Sequence, residues 1–216
     1  EYQGQASISN VIYKYDLLNA GDFATIVNEK NEALDLNPAF TQQEIDSYYQ
    51  NGGTNWQDAV YRTAFSNEHQ LGFSGGDEKT TFLISANFLD QEGIIKNSGF
   101  KRYTLRSNVT SEINDKLVFR INLTGASMAN LNTYAGYATN NPVVQSLAWA
   151  PTTPMYDENG NYTMNDPIGS LKYNPLALIY DRENKIERSF ANAVSGLRYE
   201  FVKGLTFDVQ LALDYT

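Results

Sequence analysis

The sequence predicts an all-β chain, an antiparallel transmembrane β-barrel segment, and three observations carry that expectation. Long runs alternate apolar and polar residues with period 2, as in KLVFRINLTGASM and LTFDVQLALDYT. Most of these runs reach the roughly 9 to 11 residues that a tilted membrane-crossing strand needs, against about 5 to 6 for strands in water-soluble domains. The connections also alternate in size, short at one edge and long at the other, a pattern of outer-membrane barrels that a soluble sandwich has no reason to obey.

Taken in order, Gln5 to Tyr13 reads as a short first strand. A long connection, 16–65, then carries helical signals: Asn19 as a cap, the S/T-x-x-E box of Thr41 and Glu44, and Asn55 ahead of WQDAVYR. Lys79 to Gln91 alternates less cleanly, because Leu83 and Leu89 join the polar row, and a further run begins at Tyr103. In the run from Lys116, Leu117, Phe119 and Ile121 share one face while Arg120 and Asn122 share the other. A second long connection, 129–187, precedes strands in RSFANAVSGLRYEF and from Leu205, where Phe207 and Val209 oppose Asp208 and Gln210. GGDEK, INDK and VKG are the short turns, and QEGIIKNSGF is a loop at the long edge. About seven strands result, a partial β-barrel domain over residues 1–216.

Composition limits the partners. The 16 Lys and Arg against 25 Asp and Glu give a net charge of −9, which argues against nucleic acid held by electrostatics. There is no Cys, hence no disulfide and no thiolate metal site. No run of 18 apolar residues marks a membrane helix, and the mean hydropathy of −0.44 is compatible with a barrel, which meets lipid with every second residue only. The 15 Tyr and 11 Phe beside 2 Trp suit barrel girdles and sugar-binding sheets alike.

Several motifs in fixed order match a known family. WQDAVYRTA at Trp56 to Ala64, SGGDEKTTF at Ser74 to Phe82, QEGIIKNSGFKRYTLR at Gln91 to Arg106, APTTPMYDENGNY at Ala150 to Tyr162 and KGLTF from Lys203 together resemble the early barrel region of SusC-like (RagA/SusC) TonB-dependent transporters of Bacteroidetes outer membranes. The resemblance covers nearly the whole chain. It implies a 22-stranded barrel with an N-terminal plug, placed in the outer membrane and energised through TonB. It also implies a SusD-like surface lipoprotein as partner and oligosaccharides or peptides as cargo. The plug, the TonB-contacting region and the remaining strands are not expected within these residues. The long connections 16–65 and 129–187 are then expected to be extracellular. A soluble all-β carbohydrate-binding module is the alternative expectation.

Bond chemistry finds little to work with, so no catalytic residue, metal site or cofactor is expected. His69 is the sole histidine and is read in a polar row beside Glu68 and Gln70, without partners for a triad or a metal. Asp157 to Asn161, DENGN, reads as an Asn-Gly turn before a calcium loop, and Asp90 with Glu92 reads as solvated charge before a glycosidase pair. Loop aromatics are the better candidates for substrate contact: Tyr134, Tyr137, Trp149 and Tyr156, interspersed with Asn residues that suit sugar hydroxyls.

Overall fold

The computed structural model describes residues 1–132, 140–168, 173–182 and 184–216. Seven strands form one antiparallel sheet in chain order: β1 (Tyr2–Ser9), β2 (Ala64–Gly76), β3 (Thr80–Glu92), β4 (Gly99–Asn114), β5 (Leu117–Leu131), β6 (Lys185–Val202) and β7 (Leu205–Tyr215). A meander of this kind needs only tight turns at one edge, and the turns have the side chains for it. Asp77 Oδ1 accepts from the backbone N–H of Lys79 and Thr80, and Asn114 Oδ1 from that of Lys116. Between β6 and β7, Gly204 takes φ +88, a left-handed conformation that side chains with a Cβ resist, and its N–H is held by Glu200. Bulges at Glu112/Asn114 and Glu200/Val202 sit next to two of these turns and sharpen the local twist.

Cross-strand partners share a face, so the register sorts the side chains. One face carries Phe73, Ile84, Leu105, Ile121, Leu197, Phe207, Val209, Leu211 and Leu213. The other carries Gln70, Asn87, Thr104, Asn108, Asn122, Thr124, Asn192 and Gln210. The expected placement of Leu117, Phe119, Ile121, Phe207 and Val209 opposite Arg120, Asn122, Asp208 and Gln210 holds throughout.

His69 departs from its expected row. Its sequence neighbours Glu68 and Gln70 point to the polar face, and period 2 therefore sends His69 to the apolar one. There it stacks between Tyr2 (ring centroids 6.1 Å apart) and Phe88 (6.3 Å), with Tyr103 next at 4.9 Å from Phe88, an aromatic ladder across β1 to β4. The next row toward the long connections turns polar, with Asn67, Asp90, Lys101 and Glu187.

The limits of both long connections also differ from expectation. β1 ends at Ser9, where its partner β2 begins at Ala64, so the first long connection runs over 10–63. β5 and β6 stay paired out to Leu131 and Lys185, which shortens the second to 132–184. Backbone pairing by a neighbour overrides the local composition at both ends.

Among the described residues the long connections carry five helices: α1 (Ala20–Ala33), α2 (Gln42–Asn51), α3 (Trp56–Val60), α4 (Pro142–Ala148) and α5 (Pro175–Tyr180). Asn19, Thr41 and Asn55 cap the first three as expected. At Thr41 the capping box is complete. The Glu44 carboxylate accepts from the Thr41 N–H and hydroxyl, and these bonds hold its pKa below the ordinary 4.5. Helices α4 and α5 begin with Asn-Pro, an N-cap followed by a proline at the first helical position.

Two predictions follow from these contacts. A Cβ on Gly53 lies 2.4 Å from both the Ala20 Cβ and the Pro151 carbonyl, so Gly53→Ala is expected to push the two long connections apart at a cost of about 1–3 kcal/mol. Faster hydrogen exchange at the Thr54 amide, which donates to Pro151 O, with unchanged exchange in β3 to β6, is the expected readout. Because the Glu44 pKa is lowered in the fold, the box contributes fully above the unfolded value and fades as pH falls through the folded one. Protection of the amides in the first turn of α2, taken relative to their intrinsic exchange rates, should therefore decline only as pH falls below the ordinary carboxyl value of 4.5, and Glu44→Gln should remove most of that acid dependence.

Candidate functional site

Two places combine accessible polar groups with a defined scaffold: the cap formed by the long connections and the polar face of the sheet. The cap has its own core. Trp56, Ala59 and Val60 of α3 pack with Trp149, Leu176 and Ile179, so segments far apart in sequence meet beyond the strand ends. The two tryptophan rings cross edge to face at 5.2 Å, and Trp56 Nε1 donates to the Ala150 carbonyl. The short β3–β4 loop joins in. Lys96 Nζ donates to the Ala59 carbonyl at 2.7 Å, Asn97 Nδ2 to the Ile179 carbonyl at 2.8 Å, and Arg62 Nη2 to the Ser98 carbonyl at 2.9 Å.

Buried polar side chains set the shape of this cap, and apart from the buried Thr163 hydroxyl, which has no partner among the described residues, they are hydrogen-bonded. Asn174, fully buried, donates from Nδ2 to the Met155 and Thr163 carbonyls at 3.0 Å each, while its Oδ1 receives the Leu176 N–H. Asp166 receives the Ala150 N–H and the Thr153 hydroxyl. None of these residues announces itself by periodicity. The Asn-Pro pairs at Asn141 and Asn174 are the sequence signals that point to α4 and α5.

The expected substrate-contact residues fall into three situations. Tyr134 and Tyr137 lie outside the described residues. Trp149 is 4% exposed, and its Nε1 donates to Gln145 Oε1 at 3.2 Å; it packs the cap and also lines a cleft of about 440 Å³ with Leu17, Phe23, Asn55 and Gln57. Tyr156 is half exposed and stacks on Tyr162 at 5.4 Å. The two rings flank a shallow groove of about 390 Å³ with Asn161, Met164 and Asp181 along it. Burial, and then the neighbouring Tyr156, raises the Tyr162 pKa above its ordinary 10.0, so its hydroxyl is a neutral donor at physiological pH.

Both sides of this groove are held by the turn at Asp157 to Asn161. Asp157 Oδ1 accepts from the Asn159 and Asn161 N–H groups at 2.9 Å each, and Tyr156 bridges to Tyr162. The carboxylate is thus committed to backbone, as an Asn-Gly turn requires. Asp90 and Glu92 are likewise committed. Asp90 pairs with Lys101 at 2.9 Å, and Glu92 pairs with Arg62 at 3.3 Å and accepts the Phe65 N–H. Carboxylates tied to cations in this way are solvated charge, with no free acid and base facing one another.

The polar face of the sheet is the second place. Glu68 accepts from Asn87 Nδ2 at 2.8 Å and lies 3.9 Å from Arg102; Arg198 Nε donates to Asp208 at 3.0 Å; Asn192 Nδ2 donates to Asp214 at 2.5 Å. These are the contacts of a wall that faces water. The opposite face leaves Phe73, Leu105, Phe207, Leu211 and Leu213 uncovered, an apolar surface that water disfavours and hydrocarbon accepts.

No family model matches the chain. Among curated proteins it is similar to TonB-dependent receptor P3 of Formosa agariphila, 31% identical over 208 residues that cover 93% of this chain and 19% of that protein. It is also 29% identical over 162 residues to TonB-dependent receptor SusC of Bacteroides thetaiotaomicron, covering 74% of this chain and 15% of that protein. The chain therefore spans under a fifth of the length of these relatives. Solved structures of the RagAB peptide transporter share the fold, with a TM-score of 0.74 at 20% identity over 99% of this chain and 27% of the matched one, and 0.73 for an "open-open" state. An unbroken seven-strand meander, one apolar face and these relatives lead to one conclusion: the chain is a barrel segment of a SusC-like TonB-dependent receptor of the outer membrane.

Proposed function

We propose that the chain forms part of the wall and surface cap of an importer that moves oligosaccharides or peptides across the outer membrane with energy delivered through TonB, and that a SusD-like lipoprotein covers it. The observation that carries this reading is the asymmetry of the two edges. Turns at one edge are a few residues long, while the other edge bears a packed cap with its own core. A wall that only sealed lipid would need no such cap, whereas a receptor that selects cargo at the cell surface does. The residues 10–63 and 132–184 then lie outside the cell. Transport, with no bond made or broken, is the activity proposed, and the carboxylates already tied to cations or backbone support it.

Tyr156 is the proposed cargo contact of the cap. Its ring is exposed, held by stacking on Tyr162, and bordered by Asn161, the combination that suits a sugar face and its hydroxyls. Trp149 supports the groove from the core.

Uptake of labelled oligosaccharides and peptides by cells making the full-length receptor tests the reading. Uptake is expected to cease without TonB and to fall several-fold in Tyr156→Ala while surface abundance stays constant; uptake that continues unchanged without TonB contradicts it. The wall itself gives a second expectation. Leu211→Lys, on the apolar face and midway along β7, should destabilise the full-length barrel in lipid vesicles by about 2–4 kcal/mol, and Ala212→Lys, on the polar face, by far less. Equal effects in denaturant titrations would count against the facing assigned here.

A further inference from the structure

Cations are segregated between the two faces of the sheet. All five strand arginines, Arg102, Arg106, Arg120, Arg188 and Arg198, lie on the polar face, and both strand lysines, Lys101 and Lys185, lie on the other. Arginine differs from lysine in carrying a planar fork of N–H donors that matches carboxylate, sulfate or phosphate oxygens two at a time. Arg198 is tied to Asp208, whereas the Arg120 side chain has no hydrogen bond or ion pair among the described residues.

A local gap accompanies the unpaired guanidinium. Gly196 lies directly between Arg120 on β5 and Gln210 on β7, and its missing side chain leaves a dent of about 40 Å³ bordered by Arg120, Asn122, Arg198, Asp208 and Gln210, with Val118 and Val194 completing its rim. A water needs roughly 10–15 Å³ measured in the same way, so the dent has room for a carboxylate or sulfate group. Two guanidiniums and one carboxylate leave a net positive charge there, and the Asn122 and Gln210 amides add donors. The same face carries hydroxyl and amide groups nearby, Thr110, Asn108 and Thr124 on β4 and β5 and Asn192 on β6, beside the apolar Val194 and Ala212. The hydroxyl and amide groups suit hydrogen bonds to sugar hydroxyls.

We propose that Arg120, Gly196 and Gln210 form an oxyanion seat on the lumen wall, which takes the carboxylate or sulfate of an acidic oligosaccharide on its way through the barrel. The proposal rests on the importer reading and narrows its cargo to anionic glycans. Asp208 holds Arg198 in place beside the seat, and Arg120 supplies the free fork.

The test is calorimetric binding to the purified full-length receptor, with tetragalacturonate, a sulfated tetrasaccharide, neutral maltotetraose and tetraglutamate as probes. At least one acidic sugar is expected to bind more tightly than maltotetraose, and Arg120→Gln to weaken it about 10- to 100-fold while maltotetraose is unaffected. Gly196→Thr fills the dent without altering charge and is expected to cause a similar loss. Its new Cβ would lie 3.6 Å from Gln210 Cγ and 3.8 Å from the Val209 carbonyl, ordinary contact that the strand tolerates. Heat-modifiable migration of the barrel on gels checks that both variants fold, and Arg120→Lys, which keeps the charge but not the fork, should bind at an intermediate level. The proposal is overturned if wild type binds neither acidic sugar, if Arg120→Gln weakens neutral and acidic sugars equally, or if tetraglutamate binds as tightly as the acidic sugars and is lost with them. Uptake independent of TonB sinks the importer reading but leaves this binding result standing; an energised importer that binds neutral sugars alone sinks only the seat.

Discussion

Backbone hydrogen bonding in a medium without water is the constraint on which the rest of this structure depends. In hydrocarbon each unpaired N–H or C=O costs several kcal/mol, so a chain that crosses with strands must pair every strand along its length. The ladder from β1 to β7 does this in unbroken order, with the two irregularities confined to the turn edge. The same requirement gives the outer edges of β1 and β7 a need for partners within a bilayer, which a closed barrel satisfies.

Once the ladder is fixed, side-chain chemistry has only two directions. Period 2 sends Ile121, Phe207 and Leu211 one way and Asn122, Asp208 and Gln210 the other. The aromatic ladder of Tyr2, His69, Phe88 and Tyr103 lies where the apolar face gives way to Asp90, Lys101 and Glu187. Amphipathic rings suit such a boundary, as they do at membrane interfaces generally. Beyond it the chain leaves the constraint of lipid and folds like a water-soluble protein, with helices, capping boxes and the small core of Trp56 and Trp149.

What could be read from the sequence follows the same division. The strands, their faces and the alternation of connections are local or nearly local properties, and a two-residue period reveals them. Asn19, Thr41 and Asn55 were legible for the same reason, because a cap acts within three residues. The strand ends were less so, since Ser9 and Leu131 are set by partners on β2 and β6. The cap core was not legible at all. Trp149 meets Trp56 across 93 residues, and an aromatic in a polar, Asn-rich loop looks like a binding residue until its packing partner is known. His69 takes its face from its parity along β2, which its polar neighbours Glu68 and Gln70 disguise. The dent at Gly196 depends on register across three strands, which no single run discloses.

The central claim is that one face of this sheet meets lipid and the other lines an aqueous lumen. Spin labels on single cysteines introduced one at a time at positions 205 to 215 of the full-length receptor in lipid vesicles address it most directly. The account predicts that labels at Phe207, Val209, Leu211 and Leu213 are relaxed by oxygen dissolved in the bilayer, and those at Asp208, Gln210 and Ala212 by a water-soluble nickel chelate, in strict alternation. Equal access of the water-soluble reagent to both sets would contradict it.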